Sequence, residues 1–206
     1  YKFLSNISYP LYFLDFETVN PAIPKYSGTK PYQQVVFQYS LHLKKSKLSK
    51  LEHREHLAEP NKDPRIEFVS NLIIDCGTFG DILVYNISFE RSRLNELAEQ
   101  FPEFKTQLES IIERLKDLMV PFQKKWYYTS KMRGSYSIKQ VLPALVPELS
   151  YSALNITNGE SSKSTFLSMI NKSFNGNELL SRNDLLEYCR LDTCAMVKIV
   201  DKLYSL

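Results

Sequence analysis

Three short segments carry acids at positions where acids are costly. Asp15-Phe16-Glu17-Thr18 ends one apolar run and Asn86-Ile87-Ser88-Phe89-Glu90 follows another; Tyr188-Cys189-Arg190-Leu191-Asp192 lies in a stretch with helical apolar periodicity. Carboxylates near a core are normally paired or hold a metal. A group of them is a hard oxygen ligand set, suited to Mg²⁺ or Mn²⁺. Asp15 and Glu17 are two residues apart, so on a strand both point to one face. A divalent cation between them relieves their repulsion. Tyr188 and Asp192 stand at i, i+4 and share a helix face. No Lys or Arg stands at i±3 or i±4 from Asp192 to neutralise it. Glu90 falls in a first helical turn, where the dipole favours negative charge. Taken singly, each has a plainer explanation: a solvated strand end, a helix-start acid, a buried ion pair. The histidines offer no competing metal site, because His53 and His56 differ by three on a strand and His42 is isolated.

The elements that must position these acids follow from punctuation and period. Residues 11–14 follow Pro10 as a buried strand. Residues 20–33, with Pro21, Pro24, Gly28 and Pro31, are a loop directly after the first acid pair. Residues 35–43 and 51–57 form a hairpin whose turn holds Lys44, Lys45, Lys47 and Lys50. Asn61 or Asp63 caps a helix running to about Asp75, and residues 82–85 are the next strand. Ser88 is expected to cap a helix over 89–100. A second helix follows Pro102, with Leu115 and Leu118 continuing its apolar face. Ser137 opens a short helix that Pro147 stops. Residues 150–162 read as a loop, 164–174 as a helix, and about 182–204 as the last helix. A hairpin followed by strands alternating with helices implies an α/β protein with a mixed sheet flanked by helices.

Composition narrows the class. A chain of 206 residues with 43% apolar content supports one large domain. No apolar run is long enough to span a membrane. The start, Tyr1-Lys2-Phe3-Leu4, has neither an initiator Met nor a signal-peptide pattern, and reads as a domain cut from a longer protein. Three cysteines without a C-x-x-C pair favour packing roles in a reducing cytoplasm. The net charge of +3 decides little. Local clusters say more: Lys124, Lys125, Lys131, Arg133 and Lys139 surround Trp126-Tyr127-Tyr128, a mixture suited to single-stranded nucleic acid. The alternative there is a Tyr-rich core edge, and for the Lys44–Lys50 cluster a solvated hairpin.

In this order the three motifs resemble those of the DEDD superfamily of 3′–5′ exonucleases, tyrosine subtype, which has a ribonuclease H-like fold. Within it the chain looks most like an uncharacterised bacterial domain family with Tyr-Asn-x-x-Phe-Glu and Gly-Ser-Tyr-Ser-Ile-Lys segments, here residues 85–90 and 134–139. The resemblance covers roughly residues 10–204. It implies a single exonuclease-like domain over 1–206, with antiparallel opening strands and parallel later ones. It further implies two divalent ions, Mg²⁺ or Mn²⁺, about 3.5–4 Å apart. Asp15 would bridge them, Glu17 and Asp192 would complete the first site, Tyr188 would orient the attacking water, and Glu90 would serve the second. The substrate implied is the 3′ end of single-stranded DNA or RNA. Thr18, Asn86, Phe89, Lys131, Arg133, Ser135 and Lys139, with the 20–33 loop, are expected to hold it. Other domains of a full-length chain are expected partners. Glu90 stands where the superfamily has Asp, one methylene shorter. That substitution motivates two alternatives: a nucleic-acid-binding module with weak or lost chemistry, and a structural domain that positions a partner.

Overall fold

The computed structural model describes residues 3–151 and 154–205. The first two residues, and residues 152 and 153 of the expected 150–162 loop, lie outside the described set. Five strands, β1 (Leu11–Val19), β2 (Val35–Lys44), β3 (Glu52–Leu57), β4 (Asp81–Val84) and β5 (Leu115–Asp117), form one sheet in the order β3-β2-β1-β4-β5. β1–β2 and β2–β3 are antiparallel, while β1–β4 and β4–β5 are parallel. The mixed α/β architecture expected from the element order is therefore present.

Helices cover both faces. α1 (Arg65–Cys76), α2 (Ile87–Gln100) and α3 (Lys105–Glu113) bury Phe68, Leu72, Leu94 and Leu108 against Tyr12, Leu14, Phe16 and Ile82. On the other face, α5 (Ile138–Leu145) and α7 (Glu178–Tyr204) bury Val141, Leu142, Met196 and Val200 against Leu11, Phe13 and Leu83. The strand period of two thus sends even residues of β1 to α1–α3 and odd ones to α7. Asp15 and Glu17 are odd, so they face α7. The pairing register of β1 and β2 shifts between Glu17, opposite Gln38, and Thr18, opposite Val36. Such a bulge bends the strand end and increases its twist.

Several boundaries differ from those read off the sequence. Leu115 leaves the helical pattern for the short strand β5, and α4 (Val120–Gln123) follows it. Arg114 stops α3 by donating to the carbonyls of Cys76, Gly77 and Phe79. α2 begins at Ile87 with Asn86, not Ser88, as its cap residue, in a left-handed conformation at φ 78°. α6 spans Gly159–Ile170 rather than 164–174, because Asn158 Oδ1 accepts from the Ser161 amide at 2.9 Å. α7 starts at Glu178, where Asn177 Oδ1 caps the Leu180 amide. Both caps lie in polar stretches that, without a partner in view, look like loop.

His42 is not isolated. It pairs across β2–β3 with His53, ring centroids 4.4 Å apart, and its Nδ1 lies 2.8 Å from Thr193 Oγ1 on α7. His56 faces the opposite side, stacked on Tyr39 at 5.7 Å. The lysine-rich turn is a solvated hairpin: Lys44 pairs with Asp201, Lys45 with Glu52, and Lys47 lies over Tyr204. Among the described residues no helix is long and apolar enough to cross a membrane.

Candidate metal centre

Asp15 and Glu17 from β1 and Asp192 from α7 converge, each offering a carboxylate oxygen within 4.8 Å of the others. β1 is the central strand of the sheet and α7 packs along it, so the site stands on two core elements of the fold. Glu17 and Asp192 are buried and Asp15 is half-buried. Glu90 is only 1% exposed and lies in the first turn of α2, as its spacing predicts. It is close enough to Asp15 to raise that group's pKa, but it stands outside the three-acid group. Its Oε2 has no hydrogen-bond partner among the described residues.

The electrostatics are those of carboxylates crowded out of water. Burial, then Asp192, pushes Glu17 up to about 8, against the opposing influence of Ser162 and Lys139. Burial raises Asp15 well above the carboxylate range, with Asp192, Glu90 and Glu17 adding to it. Burial also lifts Glu90 to about 8, helped by Asp117. Asp192 rises less, to about 6, because burial is countered by hydrogen bonds from Tyr151 and Tyr188 and by Lys139. Without a cation Asp15, Glu17 and Glu90 retain protons near neutrality while Asp192 is largely ionised; a divalent ion supplies the charge that lets the others ionise. An all-carboxylate donor set, with an unpartnered buried oxygen beside it, fits a hard cation such as Mg²⁺ or Mn²⁺.

Asp15, Phe16, Glu17, Tyr85, Ile138, Lys139, Tyr188, Asp192 and Met196 line a cleft of about 180 Å³. A second hollow of about 250 Å³ shares Phe16 and Glu17 with it, and adds Thr18, Gln34, Phe89, Gly159 and Lys163. The two hollows adjoin at Phe16 and Glu17. Of the residues expected to bind substrate, Lys139 lines the first hollow, and Thr18 and Phe89 line the second. Asn86, Lys131, Arg133 and Ser135 line neither. Asn86 instead starts α2, with its amide donating to Asp117 Oδ1 at 3.0 Å.

Several participants escape sequence reasoning. Tyr151 donates to Asp192 Oδ1 at 2.6 Å, from a segment that reads only as polar loop. Ser162, on α6, is fully buried near Glu17, and its hydroxyl has no hydrogen-bond partner among the described residues. The Cys189 thiol lies 3.7 Å from Asp15 Oδ2. Asp117 accepts from the amides of Asn86, Ile87 and Met119, and so anchors the turn that carries Glu90. A tyrosine and a serine in polar sequence carry no periodic signal, and Asp117 was hidden inside an apparent helix.

The chain belongs to the family described as a domain of unknown function (DUF2779), whose model matches residues 12–137. Asp15, Glu17 and Glu90 fall inside the matched span; Tyr188 and Asp192 lie beyond it. The chain is 30% identical over 167 residues to the uncharacterized protein UU173 of Ureaplasma parvum, an alignment covering 71% of this chain and 24% of that protein. It is 28% identical over 210 residues to the uncharacterized protein MG366 of Mycoplasma genitalium, covering 91% of this chain and 31% of that one. The chain therefore spans about a quarter to a third of the length of these relatives. No solved structure matches it.

Proposed function

We propose that this domain is a metal-dependent 3′–5′ exonuclease acting on single-stranded DNA or RNA, built on a ribonuclease H-like sheet. The observation that carries the reading is the convergence of Asp15, Glu17 and Asp192 from the central strand and the last helix, with Glu90 buried within electrostatic reach of Asp15. Motif order supplies the polarity and the superfamily. Asp15, Glu17 and Asp192 would hold one divalent ion, and Asp15 with Glu90 a second. When bound, two such ions stabilise the attacking and leaving oxygens of a phosphodiester.

The chain's own residues supply the rest. Tyr151 and Tyr188 hold Asp192 from one side and favour its ionised form. Tyr188 also lines the cleft, and its hydroxyl would orient the attacking water. Lys139 Nζ stands 5.7 Å from the Tyr151 ring centroid and 5.8 Å from that of Tyr188, bringing positive charge to the wall where a phosphate would lie. The second hollow offers the Phe89 ring to the terminal nucleotide, while its cation, Lys163, is paired with Glu160 at 2.6 Å. A binding module with weak chemistry is the second reading. It is favoured by Glu90 standing outside the three-acid group with its pKa at about 8. The free cysteines Cys76, Cys189 and Cys194 fit a reducing cytoplasm, and the length of the relatives fits a domain working within a larger protein.

The test is release of label from 3′-labelled against 5′-labelled oligonucleotides with Mn²⁺. Early mononucleotide release from the 3′ label, abolished by Asp15→Ala, supports the exonuclease. Retention of both labels by wild type, or unchanged release by Asp15→Ala, refutes it.

A further inference from the structure

Residues 118–147 contain Lys124, Lys125, Lys131, Arg133 and Lys139 and no Asp or Glu. The whole chain nets +3, so these five cations leave −2 on the remainder. The chain's excess of positive charge is therefore carried by one continuous segment of sequence. The same segment exposes three large rings: Trp126 at 54%, Tyr128 at 50% and Tyr136 at 44%. Large rings left exposed within one short segment are candidates for contact with a partner. Lys124 Nζ lies 5.8 Å from the Trp126 ring centroid, while Lys125, Lys131 and Arg133 have no side-chain partner among the described residues.

The segment is tied down beneath its exposed groups. The amides of Trp126 and Tyr127 both donate to the Pro121 carbonyl, and the Tyr127 ring packs edge-on against Phe122 at 6.2 Å. Met132 is buried. At its far end the Tyr85 hydroxyl donates to the Tyr136 carbonyl at 2.6 Å. Tyr85, Ile138 and Lys139 line the acid cleft, so the segment runs outward from the cleft's rim.

We infer that residues 124–136 form a stacking platform for the part of a single-stranded polynucleotide that lies outside the acid cleft. Trp126, Tyr128 and Tyr136 take bases on their faces, and Lys124, Lys125, Lys131 and Arg133 take phosphates. This inference rests on the phosphodiester reading of the cleft. Rings alternating with unpaired cations match the alternation of bases and phosphates, and every base has a face to stack. An apolar protein partner would leave the unpaired cations without a counter-charge, which disfavours it.

Trp126 is the chain's single tryptophan, so intrinsic emission reports on the platform alone. The experiment titrates oligo-dT and oligo-U into the domain in the presence of chelator. It is repeated by anisotropy of labelled oligonucleotide for Trp126→Leu and for Lys125→Gln/Lys131→Gln/Arg133→Gln, with melting curves confirming that both variants fold. Saturable quenching is expected. Trp126→Leu should weaken binding about 5- to 100-fold. The triple variant should flatten the salt dependence by about two in log–log slope, three phosphates at about 0.7 each. Quenching by one polymer and not the other assigns DNA or RNA and upholds the platform. Absent quenching, unchanged binding by both folded variants, or equal binding of blunt duplex or poly-glutamate overturns it. The chelator separates the two readings. A chain that quenches but never cleaves with Mn²⁺ sinks the exonuclease alone, and one that cleaves but never quenches sinks the platform alone.

Discussion

The Tyr151 hydroxyl donates to Asp192 Oδ1 at 2.6 Å, bridging a loop residue and the last helix. Tyr188 faces the same carboxylate from one turn earlier on α7, and the two rings are 6.3 Å apart. Asp192 thereby gives up its proton more readily than Glu17 or Glu90, at about 6 against about 8 for each of them. The two tyrosines bias one ligand toward its metal-binding form.

Tyr151→Phe removes one of those donors and keeps the ring. A hydrogen bond to a charged group contributes about 1.5–3 kcal/mol, roughly one to two pKa units. Because the bond favours the ionised form, its loss raises the Asp192 pKa. Mn²⁺ affinity measured by calorimetry should fall about 3- to 25-fold near pH 6.5, as the ionised fraction of Asp192 drops, and recover toward pH 9. Equal affinity at both pH values would show that Tyr151 does not tune the site.

Stability of the metal-free domain should decline with pH. Glu17 and Glu90 have folded pKa values of about 8 against ordinary values of 4.5. Between those limits the folded state binds more protons than the unfolded state, so unfolding free energy falls as pH rises. The stabilisation is complete below about 4.5 and gone above about 8. Without metal, the melting midpoint should be higher near pH 7 than near pH 8.5; the comparison starts above 6.5 because burial lowers the pKa values of His42, His53 and His56, which makes stability rise with pH below that point. Glu17→Gln should raise the metal-free midpoint at high pH by a few degrees, at roughly 2–4 °C per kcal/mol. Mg²⁺ or Mn²⁺ should stabilise wild type more at the higher pH and Glu17→Gln much less. A metal-free midpoint that rises through this window would contradict the buried-acid description.

The architecture and the acid triad were legible in the sequence because both are periodic. Strand alternation put Asp15 and Glu17 on one face, and helical spacing put Tyr188 with Asp192. What was not legible depends on contacts between distant segments. β5 is three residues long and continues the apolar rhythm of α3, so only the β4 edge distinguishes it from helix. The start of α2 needs no local side-chain cap, because Asp117 provides one from β5. Tyr151 and Ser162 reach the site through a loop and a helix start whose polar composition resembles solvent-exposed chain.

Asp117 accepts from three backbone amides at 2.9–3.2 Å. Asp117→Ala leaves all three without that acceptor, and loss of a cap typically costs about 0.5–2 kcal/mol. The midpoint should drop by roughly 1–8 °C, and the amides of Asn86, Ile87 and Met119 should lose protection in hydrogen exchange. Because Glu90 rides on this turn, Mn²⁺ binding should weaken as well. Unchanged exchange at all three amides would refute the capping role.

Glu90 decides between the two readings of the site. It is buried, adjacent to Asp15 and has an unpartnered oxygen, yet it is not within the group formed by Asp15, Glu17 and Asp192. If it serves a second ion, wild type should take up two Mn²⁺ in a calorimetric titration and Glu90→Gln only one, with the tighter site retained. Asp192→Asn should instead weaken the tighter site. Cleavage by Glu90→Gln should fall by roughly a hundredfold, since small misplacements at a reacting centre cost about that much. Glu90→Gln should also lose the part of the pH-dependent destabilisation that Glu90 causes, a readout independent of turnover. Two ions bound by Glu90→Gln at wild-type affinity would reduce Glu90 to a helix-start acid. One ion bound by wild type, with no cleavage, would instead favour the binding module.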